Sequence, residues 1–164
     1  MNGKFAPRGA MGPTAIGRND RRVRGEGARG MRASAYLRNA TSAPGFRPLK
    51  EQAERIKAYA ASRGMILQQI YADSNSSGMV IQSRLGLLTM LNDAAAGRFD
   101  VLLVQDIDRL GRGPMVAEIL TRLTSADVPA VDINGRILGP TDVLLAEISP
   151  QNKRKRPFGT RGPL

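Results

Sequence analysis

From residue 32 onward, apolar and polar positions switch between two periods, and each switch marks a predicted element. Arg32 to Arg38 (RASAYLR) alternates residue by residue, with Ala33, Ala35 and Leu37 opposite Ser34, Tyr36 and Arg38, which predicts a first strand. Asn39 to Arg47 is punctuated as loop by Pro44 and Gly45, and Pro48 suits the first position of a helix. Leu49, Ala53, Ile56 and Ala60 then recur at helical spacing, and Gly64 supplies the stop. Met65 to Ala72 predicts a second strand, and Asp73 to Ser83 a polar loop containing Ser76, Ser77 and Gly78. The pattern predicts a second helix over Leu85 to Ala96, with Leu87, Leu88, Leu91 and Ala95 inward and Gly97 as its end. Val101 to Val104 (VLLV) is an unbroken apolar run, the pattern of a strand covered on both faces. Pro114 opens a third helix through about Thr124, with Met115, Ile119 and Leu123 toward the core, and Val128 to Ile133 predicts a fourth strand. Beyond Gly135 the pattern fades, apart from a short apolar stretch from Val143 to Ile148.

This alternation of strands and helices predicts an α/β domain with a mostly parallel four-stranded sheet flanked by helices, over residues 32–136. Residues 1–31, rich in Gly, Arg and Pro, read as a disordered basic arm. They are also explained by an over-long reading of the gene with Met31 as the working start. Residues 137–164 read as an irregular basic tail.

The net charge of +11 sharpens this division. Residues 33–150 carry as many acidic as basic side chains, so the whole excess lies in the two ends. Basic arms of that kind hold polyanions non-specifically and with strong salt dependence; serving only solubility is the alternative. The chain has no cysteine and no histidine. That excludes a Cys/His zinc site, a cysteine nucleophile and a histidine general base, and leaves chemistry to carboxylates, hydroxyls, lysines and arginines. No glycine-rich phosphate loop follows a strand, so a nucleotide cofactor is not expected. Without an apolar run of about 18 residues or a secretory leader, the sequence reads as cytoplasmic, with no membrane partner.

Candidate chemistry gathers where strands end. Arg38 closes the first strand, Arg84 opens the second helix, and Asp108, Arg109 and Arg112 follow the third strand. Asp73 ends the second strand and Gln52 lies in the first helix. The carboxyl edge of an open α/β sheet is where ligands usually sit. Several guanidiniums brought together there without an anion between them would repel one another. Fixed guanidiniums stabilise a transferring phosphoryl group without a metal. The plain alternative is local: a helix start with solvated salt bridges, an Arg38–Asp108 bridge, and Gln52 and Asp73 as ordinary surface and turn residues.

The order of short motifs resembles the serine recombinases, the resolvase and invertase group. They are Y-L-R at Tyr36 to Arg38, L-K-E-Q at Leu49 to Gln52, Y-A-D at Tyr71 to Asp73 and S-G at Ser77 to Gly78. R-L-G-L at Arg84 to Leu87, A-G-R-F-D at Ala96 to Asp100 and D-R-L-G-R at Asp108 to Arg112 complete the set. The resemblance implies a resolvase-like three-layer fold and DNA site-specific recombination by strand cleavage and exchange. It implies a 5′-phosphoserine intermediate, no metal or other cofactor, and DNA as partner, with the chain acting as a homodimer or in a heteromer with an intact recombinase. It gives Arg38, Arg84, Arg109 and Arg112 the scissile phosphate, and Gln52, Asp73 and Asp108 the work of orientation or proton transfer.

One position departs from the pattern. The nucleophilic serine is expected two residues past Arg38, where this chain has Ala40. Ser42 shares the parity of Arg38 but lies about 6.6 Å beyond Ala40 along a strand, while Thr41 points the other way. The expectation is therefore an inactive or impaired strand-exchange domain, or a non-catalytic DNA-binding or recombinase-partner accessory protein.

Overall fold

The computed structural model describes residues 17–24, 26–39, 48–74 and 81–143. Its elements are α1 (Arg18–Arg24), β1 (Arg32–Arg38), α2 (Leu49–Ser62), β2 (Ile66–Asp73), α3 (Leu85–Ala95), β3 (Val101–Val104), α4 (Pro114–Ser125), β4 (Ala130–Asp132) and β5 (Ile137–Leu138). The sheet has five strands in the order β2-β1-β3-β4-β5, parallel except for the antiparallel β4–β5 pair. The four-stranded expectation is thus corrected by one short edge strand. Asp132 makes that hairpin: its carboxylate accepts the N–H groups of Asn134 (2.8 Å) and Arg136 (3.0 Å). A two-residue strand is too short to show a period in sequence.

β1 lies between β2 and β3, so its alternation does not separate core from solvent. It divides the strand between two cores. Ala33, Ala35 and Leu37 pack with Ile56 and Ala60 of α2, while Tyr36 packs with α3 and α4 on the opposite face. Helices end where glycine allows a left-handed residue: Gly64 (φ +66°) after α2 and Gly97 (φ +67°) after α3. The buried stripe of α3 is Leu87, Met90, Leu91 and Ala94, and that of α4 is Val116, Ile119, Leu120 and Leu123. Both are rotated from the expected stripes, because each helix here meets the sheet and its neighbouring helix together. In α2 the buried set includes Gln52, a polar residue at a core position.

The structure also corrects the reading of residues 1–31 as disordered throughout. α1 packs through Val23, and Ala28 and Met31 join the core beneath α2. The Gly30 N–H donates to the Gly64 carbonyl (2.7 Å), and an Arg63 guanidinium N–H donates to the Val23 carbonyl (3.2 Å). One apolar residue per helical face gives no periodic signal, so only docking reveals this segment. Residues 1–16 and 144–164 lie outside the described residues. No helix among the described residues is long and apolar enough to cross a membrane.

Candidate phosphate-binding site

The strand order reverses beside β1. The chain leaves β1 for β2 on one side, then returns across it to β3 on the other, which opens a crevice at the carboxyl ends of β1 and β3. Arg38 ends β1 directly opposite Asp73 of β2, and the turn at Ile107–Arg109 follows β3. The arginines expected there do meet.

Arg84 lies at the bottom, with none of its surface exposed. One terminal nitrogen donates to the Leu110 carbonyl (2.5 Å); the other donates to the Tyr36 hydroxyl (2.6 Å) and the Arg109 carbonyl (3.2 Å). Its Nε also donates to Tyr36 (3.0 Å), and the guanidinium lies 5.2 Å from that ring's centroid. All these acceptors are uncharged, so Arg84 is held without being neutralised. The Tyr36 hydroxyl passes the chain on, donating to Asp73 (2.8 Å). Burial pushes this phenol well above its ordinary value, although Arg84 beside it pulls the other way.

Asp73 in turn accepts the N–H groups of Gly86 (2.8 Å) and Leu87 (2.9 Å), the first turn of α3. A carboxylate there satisfies two unpaired donors and the positive end of the helix dipole. This contact requires close approach: a Cβ on Gly86 would lie 2.6 Å from the Ala72 carbonyl oxygen. The R-L-G-L motif is therefore a packing motif, with glycine where strand and helix backbones touch.

Arg38 lies above this layer. Its Nε donates to the Arg109 carbonyl (3.1 Å) and a terminal nitrogen to the Asp108 carbonyl (2.6 Å). The bond to Asp108 is to its backbone carbonyl, and Asp108 itself is exposed. Gln52, fully buried, clamps the Arg38 backbone from α2, accepting from its N–H (3.4 Å) and donating to its carbonyl (3.2 Å). Arg109 donates to the same carbonyl (3.1 Å) and pairs with Asp106 (3.3 Å), while Arg112 is exposed at the rim. Burial holds the Arg38 guanidinium below its ordinary value, and the positive charges of Arg84, Arg109 and Arg112 press it the same way. Mutual repulsion of this kind is relieved by a bound anion.

The seven expected residues thus divide into two layers. Gln52, Asp73 and Arg84 form a buried frame; Arg38, Asp108, Arg109 and Arg112 are carried on it. The expected site residues do not include Tyr36, the hub between Arg84 and Asp73. Its parity with Arg38 on β1 was the available signal. Ala40, Thr41, Ser42, Ser76, Ser77 and Gly78 lie outside the described residues. Asn39, immediately before Ala40, still donates to the Asp73 carbonyl (3.3 Å).

The family model described as the resolvase N-terminal domain matches residues 33–149. No curated protein sequence matches the chain. Among solved structures, the N-terminal catalytic domain of TP901-1 integrase is 23% identical, covering 74% of this chain and 94% of its own, with a TM-score of 0.59. A resolvase family site-specific recombinase from Streptococcus pneumoniae is 23% identical over 76% of this chain and 91% of its own, with a TM-score of 0.56. The C-terminal catalytic domain of ISC1926 TnpA, an IS607-like serine recombinase, is 24% identical over 72% and 78%, with a TM-score of 0.56. At these identities the likeness to the solved structures is one of fold.

Proposed function

The chain belongs to the family of the resolvase N-terminal domain, and from that premise we propose that its arginine cluster holds a DNA phosphodiester for site-specific recombination. The observation that carries this reading is the convergence of Arg38, Arg84 and Arg109 at the carboxyl ends of β1 and β3, where Arg38 and Arg84 donate to the same Arg109 carbonyl and Arg109 donates to the Arg38 carbonyl. Charges gathered at that density suit the equatorial oxygens of a transferring phosphoryl group. Arg38, Arg109 and Arg112 touch the phosphate, and Arg84, Gln52 and Asp73 position them. Asp108, exposed at the same rim, is the group nearest in sequence to these arginines for orientation or proton transfer. The partner is DNA, and the chain acts as a homodimer or beside an intact recombinase.

With Ala40 at the nucleophile position, the site binds and orients a phosphate without cleaving it. The change Ala40→Ser supplies the missing hydroxyl. Its oxygen attacks phosphorus, the bond from phosphorus to the 3′-oxygen breaks, and the hydroxyl proton ends on that leaving oxygen.

The test uses the purified full chain with supercoiled plasmids carrying DNA from either side of its gene, without magnesium, read as covalent protein–DNA adduct on denaturing gels. The wild type yields no adduct and Ala40→Ser yields one, reduced at least about a hundredfold when Arg112→Gln is added. An adduct from the wild type overturns the loss of cleavage and points to Thr41 or Ser42. DNA binding by Ala40→Ser with no adduct overturns the assignment of the cluster to the scissile phosphate and favours an accessory role.

A further inference from the structure

α1 lies outside the residues that the family model matches, at the opposite edge of the sheet from the arginine cluster. At 100° per residue, Val23 marks the side of α1 that meets the core. Arg18, Arg21, Arg22 and Arg24 fall within an arc of about 160° centred opposite Val23, and Arg18, Arg21 and Arg24 are exposed. Among the described residues none of these three enters an ion pair of the structure, although Arg24 acts on the nearby Asp20. The helix is fixed at both ends: Asn19 donates to the Asp127 carbonyl (2.7 Å), and Val23 accepts from Arg63. Arg29 continues the basic surface over Gly64.

We infer that the outer face of α1, carrying Arg18, Arg21 and Arg24, is a second contact surface for the DNA phosphate backbone. It is separated from the arginine cluster by the length of β1, about 20 Å. The inference rests on the reading that the chain acts on DNA and adds a grip remote from the reacting phosphate. An anionic membrane is the weaker fit, because α1's apolar residue faces the protein and leaves none outward to enter a bilayer.

The test measures binding of the full chain to a non-specific 20-base-pair duplex against salt concentration. In R18Q/R21Q/R24Q the slope of log K against log salt is shallower than wild type by about 2.7, at about 0.9 for each phosphate no longer neutralised. Between 50 and 150 mM salt the wild type then loses about twentyfold more affinity than the variant. R18K/R21K/R24K keeps the wild-type slope, and all variants keep the wild-type melting temperature, since these side chains are exposed. An unchanged slope in the glutamine variant, with wild-type DNA binding intact, overturns the inference alone. Absence of DNA binding by the wild type overturns the DNA reading itself. Binding to phosphatidylglycerol vesicles that depends on these arginines, with DNA binding that does not, assigns the surface to a membrane and overturns the inference.

Discussion

The two edges of the sheet handle arginine in opposite ways. At the carboxyl edge, Arg84 is buried against carbonyls and a phenol, and the neighbouring arginines crowd Arg38. At the amino edge, Arg32 is matched by Asp100 at 2.7 Å, and Arg98 by Asp93 at 3.3 Å. The same side chain neutralises a carboxylate at one end and accumulates charge at the other. The acceptor makes the difference: backbone carbonyls satisfy N–H donors without cancelling their charge. Arg109 is paired with Asp106 even at the carboxyl edge, so the contrast rests on Arg84, whose acceptors are all uncharged, against Arg32, whose partner is a carboxylate.

The sharpest way to break this contrast is Gly86→Ala. The added methyl meets the Ala72 carbonyl and lifts α3 from Asp73, with a loss of about 3 kcal/mol expected from overpacking. Thermal or urea unfolding reads it, and a melting temperature within a degree of wild type would show that the strand–helix packing is slack. Val23→Ala addresses the other edge. Removing two buried methyl groups costs about 1.5 kcal/mol, and it should detach α1 while leaving the arginine cluster folded. Hydrogen exchange confined to residues 17–31 checks that separation.

The smallest effect belongs to Asp100. The hydrogen bonds and charge of Arg32 hold its carboxyl below the ordinary carboxylate value. A depressed value in the folded state means the contribution is present above the unfolded value near 3.8 and is lost as pH falls below it. Asp100→Asn should therefore flatten the acid limb of the stability curve below about pH 4 and leave it unchanged near neutrality apart from a constant offset. Chemical unfolding between pH 2 and 7 measures it.

The sequence alone determined the parallel α/β order, because long apolar periods are local properties of β1, α2, α3, β3 and α4. It also named the residues that meet at the carboxyl edge, since the ends of parallel strands share that edge whatever their packing. Tertiary structure decided what each residue does there. Gln52 reads as a helix-surface residue and is buried because it clamps a strand end; Asp73 reads as a turn residue and caps a helix thirteen positions on. Tyr36 reads only as an alternating position of the first strand and is the hub of a polar chain. α1 and β5 escaped periodicity altogether, one burying a single valine and the other two residues long. Alternation along one strand records only that two faces differ; whether each face meets water, a helix or an arginine depends on neighbours brought in from elsewhere in the chain.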